Sequence, residues 1–260
     1  MVRTLEHGQE SSREALEATH TPAAIRARLE PGPGYSHVRD FVYGAIDGIV
    51  TTFAVVAGAT GAQLSGGIVI VFGVANLVAD GLSMAASNFL GTKAERQLRE
   101  SIRRGEARQV ALYPAGEREE VRQIFAAKGF AGADLDRVVD VITADRERWI
   151  ETMLTEEYGM SARAPSPWRA GLTTFVAFIG AGSLPLLAYL GELLFSVRME
   201  RPFLWSIVLS GLGFASVGAL KGRFVQRSPL VSGLETLLVG GSAAAAAYAI
   251  GWALEALVGA

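Results

Sequence analysis

The sequence predicts an all-α, polytopic membrane protein with five transmembrane helices and one helical cytosolic insert between helices 2 and 3. Three observations carry that prediction. Half of the 260 residues are hydrophobic, and the mean hydropathy of +0.30 is high for a soluble chain. Five apolar runs reach the length of about 20 residues that a bilayer crossing takes. The charges are segregated, lying mostly before residue 40 and between 92 and 169, the pattern of a membrane protein with one soluble insert. The abundance of glycine, 30 residues, suits membrane helices whose backbones approach closely. No cysteine is present, which excludes disulfides and thiolate metal ligands. No compact basic surface with interleaved aromatics points to nucleic acid.

Residues 1–39 are polar and form a cytosolic tail. They contain no short apolar core followed by a small-residue cleavage site, so they do not resemble a signal peptide. A short amphipathic helix is expected over 10–30, anchored by Leu16, Ile25 and Leu29, with PGPG at 31–34 closing the tail. His7, His20 and His37 have no ligand spacing and are expected to be solvated. Residues 40–91 hold the first two spans, 40–61 and 67–91, joined by a turn at Gln63–Gly66. Residues 92–168 form the insert. Residues 169–260 hold three more spans, near 169–194, 203–222 and 230–257. Lys221 at the end of the fourth span is expected to snorkel to the interface. The tail, the insert and the loop with Lys221, Arg223 and Arg227 are rich in basic residues and fall on one side. The opposite side has Arg198 and Arg201 only. The excess of basic residues places the N-terminus and the insert in the cytosol and the C-terminus outside.

Within the insert, the second span is expected to continue through 92–111 until Pro114 breaks it. Further helices follow near 116–128, 133–143 and 145–159, stopped by Gly129 and Gly159. Their helical faces mix acids with apolar residues. The first runs Leu98, Ile102, Glu106, Gln109, Val110. The second runs Glu117, Glu120, Val121, Ile124, Phe125. The last runs Trp149, Met153, Glu157, Met160. A buried carboxylate is costly unless it is paired or binds a metal. Several converging without a basic partner point to a divalent-cation site with hard oxygen ligands and one thioether. The alternative, acids solvated at helix edges, is the usual fate of Glu on a helix.

The first two spans carry Asp47 and Asp80 inside apolar runs. An acid at membrane depth costs about 2.5–3.5 kcal/mol on insertion scales and marks function. At 1.5 Å per residue from Asp40, Asp47 lies about 10 Å deep. Counting back from Gly91 puts Met84 at the same depth, with Asp80 a turn further in. Asn76, Asp80 and Met84 share one face at spacing four, Ser83 and Ser87 flank it, and Thr51 lies a turn beyond Asp47. This stripe suits a cation path better than packing, although Asn76 and the serines also fit as hydrogen-bonding glue between helices.

The segments DFVYGAIDGIVTTFAVVAGATG, NLVADGLSMAASNFL and WIETMLTEEYGM resemble those of the vacuolar iron transporter (VIT) family, in the manner of a bacterial-type member. The resemblance covers about 40–260 in layout. It implies a homodimer that moves Fe²⁺, and often Mn²⁺, out of the cytosol in exchange for protons, along a path between the first helices of two protomers. It assigns Asp47 and Met84 to that path. It assigns Glu106, Glu117, Glu120, Met153 and Glu157 to a cytosolic metal site. Two positions depart: Asn76 stands where some members have a pore glutamate, and Gln109 where they have a further cytosolic one. Asp80 is placed to supply the carboxylate that Asn76 lacks. The expectation is therefore an exporter in the inner (plasma) membrane, with no prosthetic group and no enzymatic nucleophile–base set. The rival reading is a membrane-anchored iron buffer or sensor.

Overall fold

The computed structural model describes residues 16–29, 37–161, 165–195 and 200–258. Among these the chain is helical throughout: α1 (Pro22–Leu29), α2 (Val38–Gly61), α3 (Gly66–Leu112), α4 (Pro114–Ala127), α5 (Gly132–Thr143), α6 (Arg146–Glu156), α7 (Pro167–Gly182), α8 (Leu187–Phe195), α9 (Pro202–Phe224) and α10 (Pro229–Val258). Five segments are long and apolar enough to cross a membrane: α2, α3, Pro167–Gly191, α9 and Pro229–Leu257. The chain divides into two compact units. One comprises 36–94 and 165–260, the other 95–164 with the tail up to 35.

In the membrane unit, α2 is central. Its Ala45, Ile49, Phe53 and Ala57 pack with Ala177 of α7, Phe214 and Val217 of α9, and Ala244 of α10. Glycine makes the approach close enough for backbones to touch. A Cβ on Gly44 or Gly48 would fall on the carbonyl oxygen of Thr174 or Phe178 in α7, and one on Gly61 on that of Tyr248 in α10. The fit is reciprocal: a Cβ on Gly182 would stand 2.7 Å from the Gly48 carbonyl oxygen, and one on Gly251 would strike that of Gly58. Small residues are the usual route to helix association in lipid, where apolar burial gives little drive. Gly48→Ala is therefore expected to cost about 1–3 kcal/mol, the usual range for overpacking. A thermal melt of the purified protein in detergent reads this; an unchanged melting temperature would contradict the backbone contact.

The third span is interrupted. Pro185 has no N–H to donate, and the chain tightens into a 3₁₀ turn at Leu184–Leu186 between α7 and α8. The Ser206 hydroxyl of α9 donates to the Pro185 carbonyl at 2.7 Å, which satisfies backbone polarity freed at the break. Lys221, expected to snorkel, pairs with Glu235 of α10 at 3.3 Å.

In the insert, Val110, Val121, Val139, Ile142, Trp149, Ile150, Met153 and Leu154 form one core. Pro114 opens α4 at its first turn as well as ending α3. Asp145 caps α6 by accepting from the Arg148 N–H at 2.7 Å. Gly129 and Gly159 stop their helices at positive φ, 97° and 64°.

Within the described part of the tail helix expected over 10–30, the helix is broken at 20–21, between a helical stretch at 16–19 and Pro22–Leu29, because Pro22 starts a helix better than it continues one. Leu16 is exposed. His7, the PGPG stretch, Arg198 and the side chain of Leu29 lie outside the described residues.

Candidate metal sites

Two constellations stand out, one in each unit. In the insert, the last turns of α3 bring Glu106 to the first turn of α4, where Glu117 sits. Both are buried, at 1% and 5% exposure. Tyr158, just past α6, donates its hydroxyl to Glu106 Oε1 at 3.0 Å, and Gln109 Nε2 donates to the same oxygen at 3.2 Å. The other oxygens, Glu106 Oε2 and Glu117 Oε2, are buried with no hydrogen-bond partner. Glu120 and Glu157 are exposed, contrary to the expectation that they share the buried faces. They lie near enough to act electrostatically on Glu117, and Glu120 acts on Glu157 as well. Leu98 is likewise exposed and does not belong to the buried stripe. Met153 is fully buried in the insert core.

Several other acids of the insert are paired with cations. Arg99 pairs with Glu151 at 2.6 Å, Arg122 with Asp136 at 2.7 Å, Arg103 with Glu147, Arg118 with Asp140, and Lys128 with Glu156. Among the described residues no cation pairs with Glu106, Glu117, Glu120 or Glu157. Burial first, and then the charges of Glu120, Glu106 and Glu157, push the Glu117 carboxyl up to about 7. Partial burial and the Glu106 and Glu120 charges raise Glu157 too. Burial and the bond to Glu106 hold the Tyr158 phenol above its ordinary range, so it remains a neutral donor. Among the described residues no three His, Asp or Glu side chains enclose a point where an ion would sit; the carboxylates form an open cluster.

In the membrane unit, Asp80 of α3 is the charged group that acts on Asp47 of α2. The helix register explains why. Asn88 Nδ2 of α3 donates to Asp40 Oδ1 of α2 at 3.0 Å, and Gly48 and Gly81 both meet Phe178 of α7. Counting along antiparallel helices from either contact brings Asp80 level with Asp47. Met84 falls about one turn toward the Asp40 end. This corrects the depth estimate that paired Met84 with Asp47. Asp40 matches Asn88 rather than Gly91, an offset of three residues or about 4.5 Å. Met84 is half-buried and packs against the cluster that contains Phe178 and Leu77. The Thr51 hydroxyl donates to the Asp47 backbone carbonyl at 2.9 Å. Asn76 Nδ2 is buried without a partner. Along α2, Tyr43, Asp47, Thr51 and Ala54 form a stripe that stays exposed or half-exposed, while 11 of the helix's 24 residues are buried.

Beside this pair lies a polar cluster that sequence reasoning missed. Asp40 is 3% exposed, and His37 Nδ1 lies 2.9 Å from its Oδ2. Asn88 also donates to Thr174 Oγ1 at 2.7 Å, which ties α2, α3 and α7 together. His37 is thus a partner of a buried acid rather than a free surface residue. Tyr158 was missed as well. The signal for it was its place beside Glu157, on a segment already singled out.

A family model described as the VIT family matches residues 38–252. The chain is 34% identical to a vacuolar iron transporter of Toxoplasma gondii, over 86% of this chain and 76% of that protein. It is 31% identical to vacuolar iron transporter 1 of Arabidopsis thaliana, over 82% and 84%. It is 29% identical to vacuolar iron transporter 1 of Eucalyptus grandis, over 84% and 86%.

Proposed function

This chain belongs to the VIT family, and from that premise we propose that it exports Fe²⁺, and Mn²⁺ with it, from the cytosol in exchange for protons. Membership makes it a multi-pass membrane transporter of metal ions and not an enzyme. The observation that carries the finer reading is the insert's cluster of two buried carboxylates with unpartnered oxygens, beside two acids that pair with no cation among the described residues. A divalent ion would neutralise such a cluster. Glu106, Glu117, Glu120 and Glu157 collect the ion, with the Met153 thioether favouring a transition metal over Ca²⁺ or Mg²⁺. Asp47 and Asp80 then receive it in the membrane, with Met84, Asn76 and Thr51 along the path. Asp80 supplies a carboxylate at the level of Asp47. The half-exposed stripe of α2 supports a homodimer in which two such stripes face one another and close the path. The N-terminus and insert lie in the cytosol, the C-terminus outside, and the membrane is the cell's inner (plasma) membrane.

Protons and metal compete for the same carboxylates, so inward protons release the ion that outward movement requires. Proteoliposomes with an imposed pH gradient are the test: Fe²⁺ flux should follow the gradient, and flux indifferent to it would refute antiport. Ion binding without any flux would favour the membrane-anchored buffer.

The raised Glu117 carboxyl sets a pH dependence. Between about 4.5 and 7 the folded, metal-free insert holds a proton that the unfolded chain has already released. Its stability is therefore greatest at acidic pH and is lost as pH rises through 7. Metal binding runs the other way, strengthening up to pH 7 with proton release and levelling off above. Melting the metal-free protein at pH 5 and pH 8, with and without Mn²⁺, checks both signs. Greater metal-free stability at pH 8 would contradict the burial of these carboxylates.

A further inference from the structure

The membrane unit carries a groove of about 630 Å³ between α3 and α7, and none of its residues belongs to the proposed ion path. Its walls are apolar: Leu82, Ala86 and Phe89 from α3, Leu172 and Phe175 from α7. Its floor is where the two backbones meet, since a Cβ on Gly171 would stand 3.0 Å from the Ala85 carbonyl oxygen. One end differs in chemistry. Trp168 is 77% exposed there and leans on Phe89 with ring centroids 4.9 Å apart. Arg169 lines the same end. Lys93 is exposed one turn beyond Phe89, in the direction in which antiparallel α7 begins. Among the described residues no acid pairs with Arg169 or Lys93.

An apolar slot closed by a tryptophan and two unpaired cations has the amphipathic order of a lipid: hydrocarbon along the slot, an aromatic at the interface, and positive charge at headgroup level. We infer that this groove is a binding site for an anionic phospholipid, with an acyl chain between α3 and α7 and the headgroup phosphate against Arg169 and Lys93. A zwitterionic headgroup brings its own cation to the same end and is the poorer match.

The test uses the delipidated full-length protein in detergent. Phosphatidylglycerol and phosphatidylcholine with the same acyl chains are titrated, and binding is read by native mass spectrometry. Trp168 quenching by bromine-labelled chains gives a second readout, taken as the difference from Trp168→Phe. The wild-type protein should prefer phosphatidylglycerol about tenfold. The pair Lys93→Gln and Arg169→Gln should bring it to the phosphatidylcholine level, and Lys93→Arg with Arg169→Lys should keep the preference. Ala86→Phe should fill the slot and remove the quenching by both lipids. Equal affinities in the wild-type protein, or a preference surviving the double glutamine variant, would overturn the site. A groove covered by a second copy, seen as a dimer broken by Ala86→Phe without lipid discrimination, would overturn it as well.

Discussion

Asp47→Asn is expected to stop ion movement while leaving metal binding at the insert unchanged. Counting along α2 and α3 from the Asn88–Asp40 bond puts Asp80 at about the level of Asp47. The amide keeps the shape and the Thr51-to-backbone contact but removes the charge that would hold a dehydrated cation. Flux in proteoliposomes should fall by about two orders of magnitude or more, since an intramembrane carboxylate on an ion path has no substitute in lipid. Stability should move in the opposite direction. An ionised side chain at depth costs about 2.5–3.5 kcal/mol, so its neutral isostere should melt at the same temperature or higher. That split separates the two roles. A structural aspartate would lose stability and flux together, whereas normal flux in Asp47→Asn would remove this residue from the path.

The second large effect belongs to the insert. Glu106→Gln with Glu117→Gln replaces two buried carboxylates by amides of the same shape. Mn²⁺ binding, measured by calorimetry on the full-length protein, should weaken beyond the roughly 10–100-fold that loss of an outer partner of a metal ligand costs. The metal-free protein should become more stable at pH 8, because the repulsion and desolvation that raise Glu117 are gone. Its stability between pH 5 and pH 8 should flatten accordingly. Retained Mn²⁺ affinity in this variant would mean that the exposed acids Glu120 and Glu157 bind without the buried pair.

Much of the architecture was legible because long apolar runs and glycine or proline boundaries are strong local signals. The expected helices at 116–128 and 133–143 correspond to α4 and α5 within two residues at each end. What pattern alone left open was register between helices. Nothing local in α3 announces that Asn88, rather than Gly91, meets Asp40, and so the level of Met84 was misjudged by about a turn. The same gap hid the roles of His37 and Thr174, which depend on contacts far apart in sequence. In the insert, helical spacing put carboxylates beside apolar residues correctly for Glu106 and Glu117. It overreached for Leu98, Glu120 and Glu157, because an amphipathic stripe narrows where no neighbouring helix covers it. Pro185 was visible, but periodicity gave no reason to split a continuous apolar run at that point.

The glycines of α2 have a consequence for genetics. Gly44, Gly48 and Gly61 meet carbonyl oxygens of neighbouring helices, so a side chain at these positions destabilises the protein although no ion need ever touch them. A loss-of-function screen would recover lesions there alongside Asp47, and growth phenotype alone would treat them as equals. The amount of protein that reaches the membrane would sort them: scarce for the glycines, normal for the aspartate.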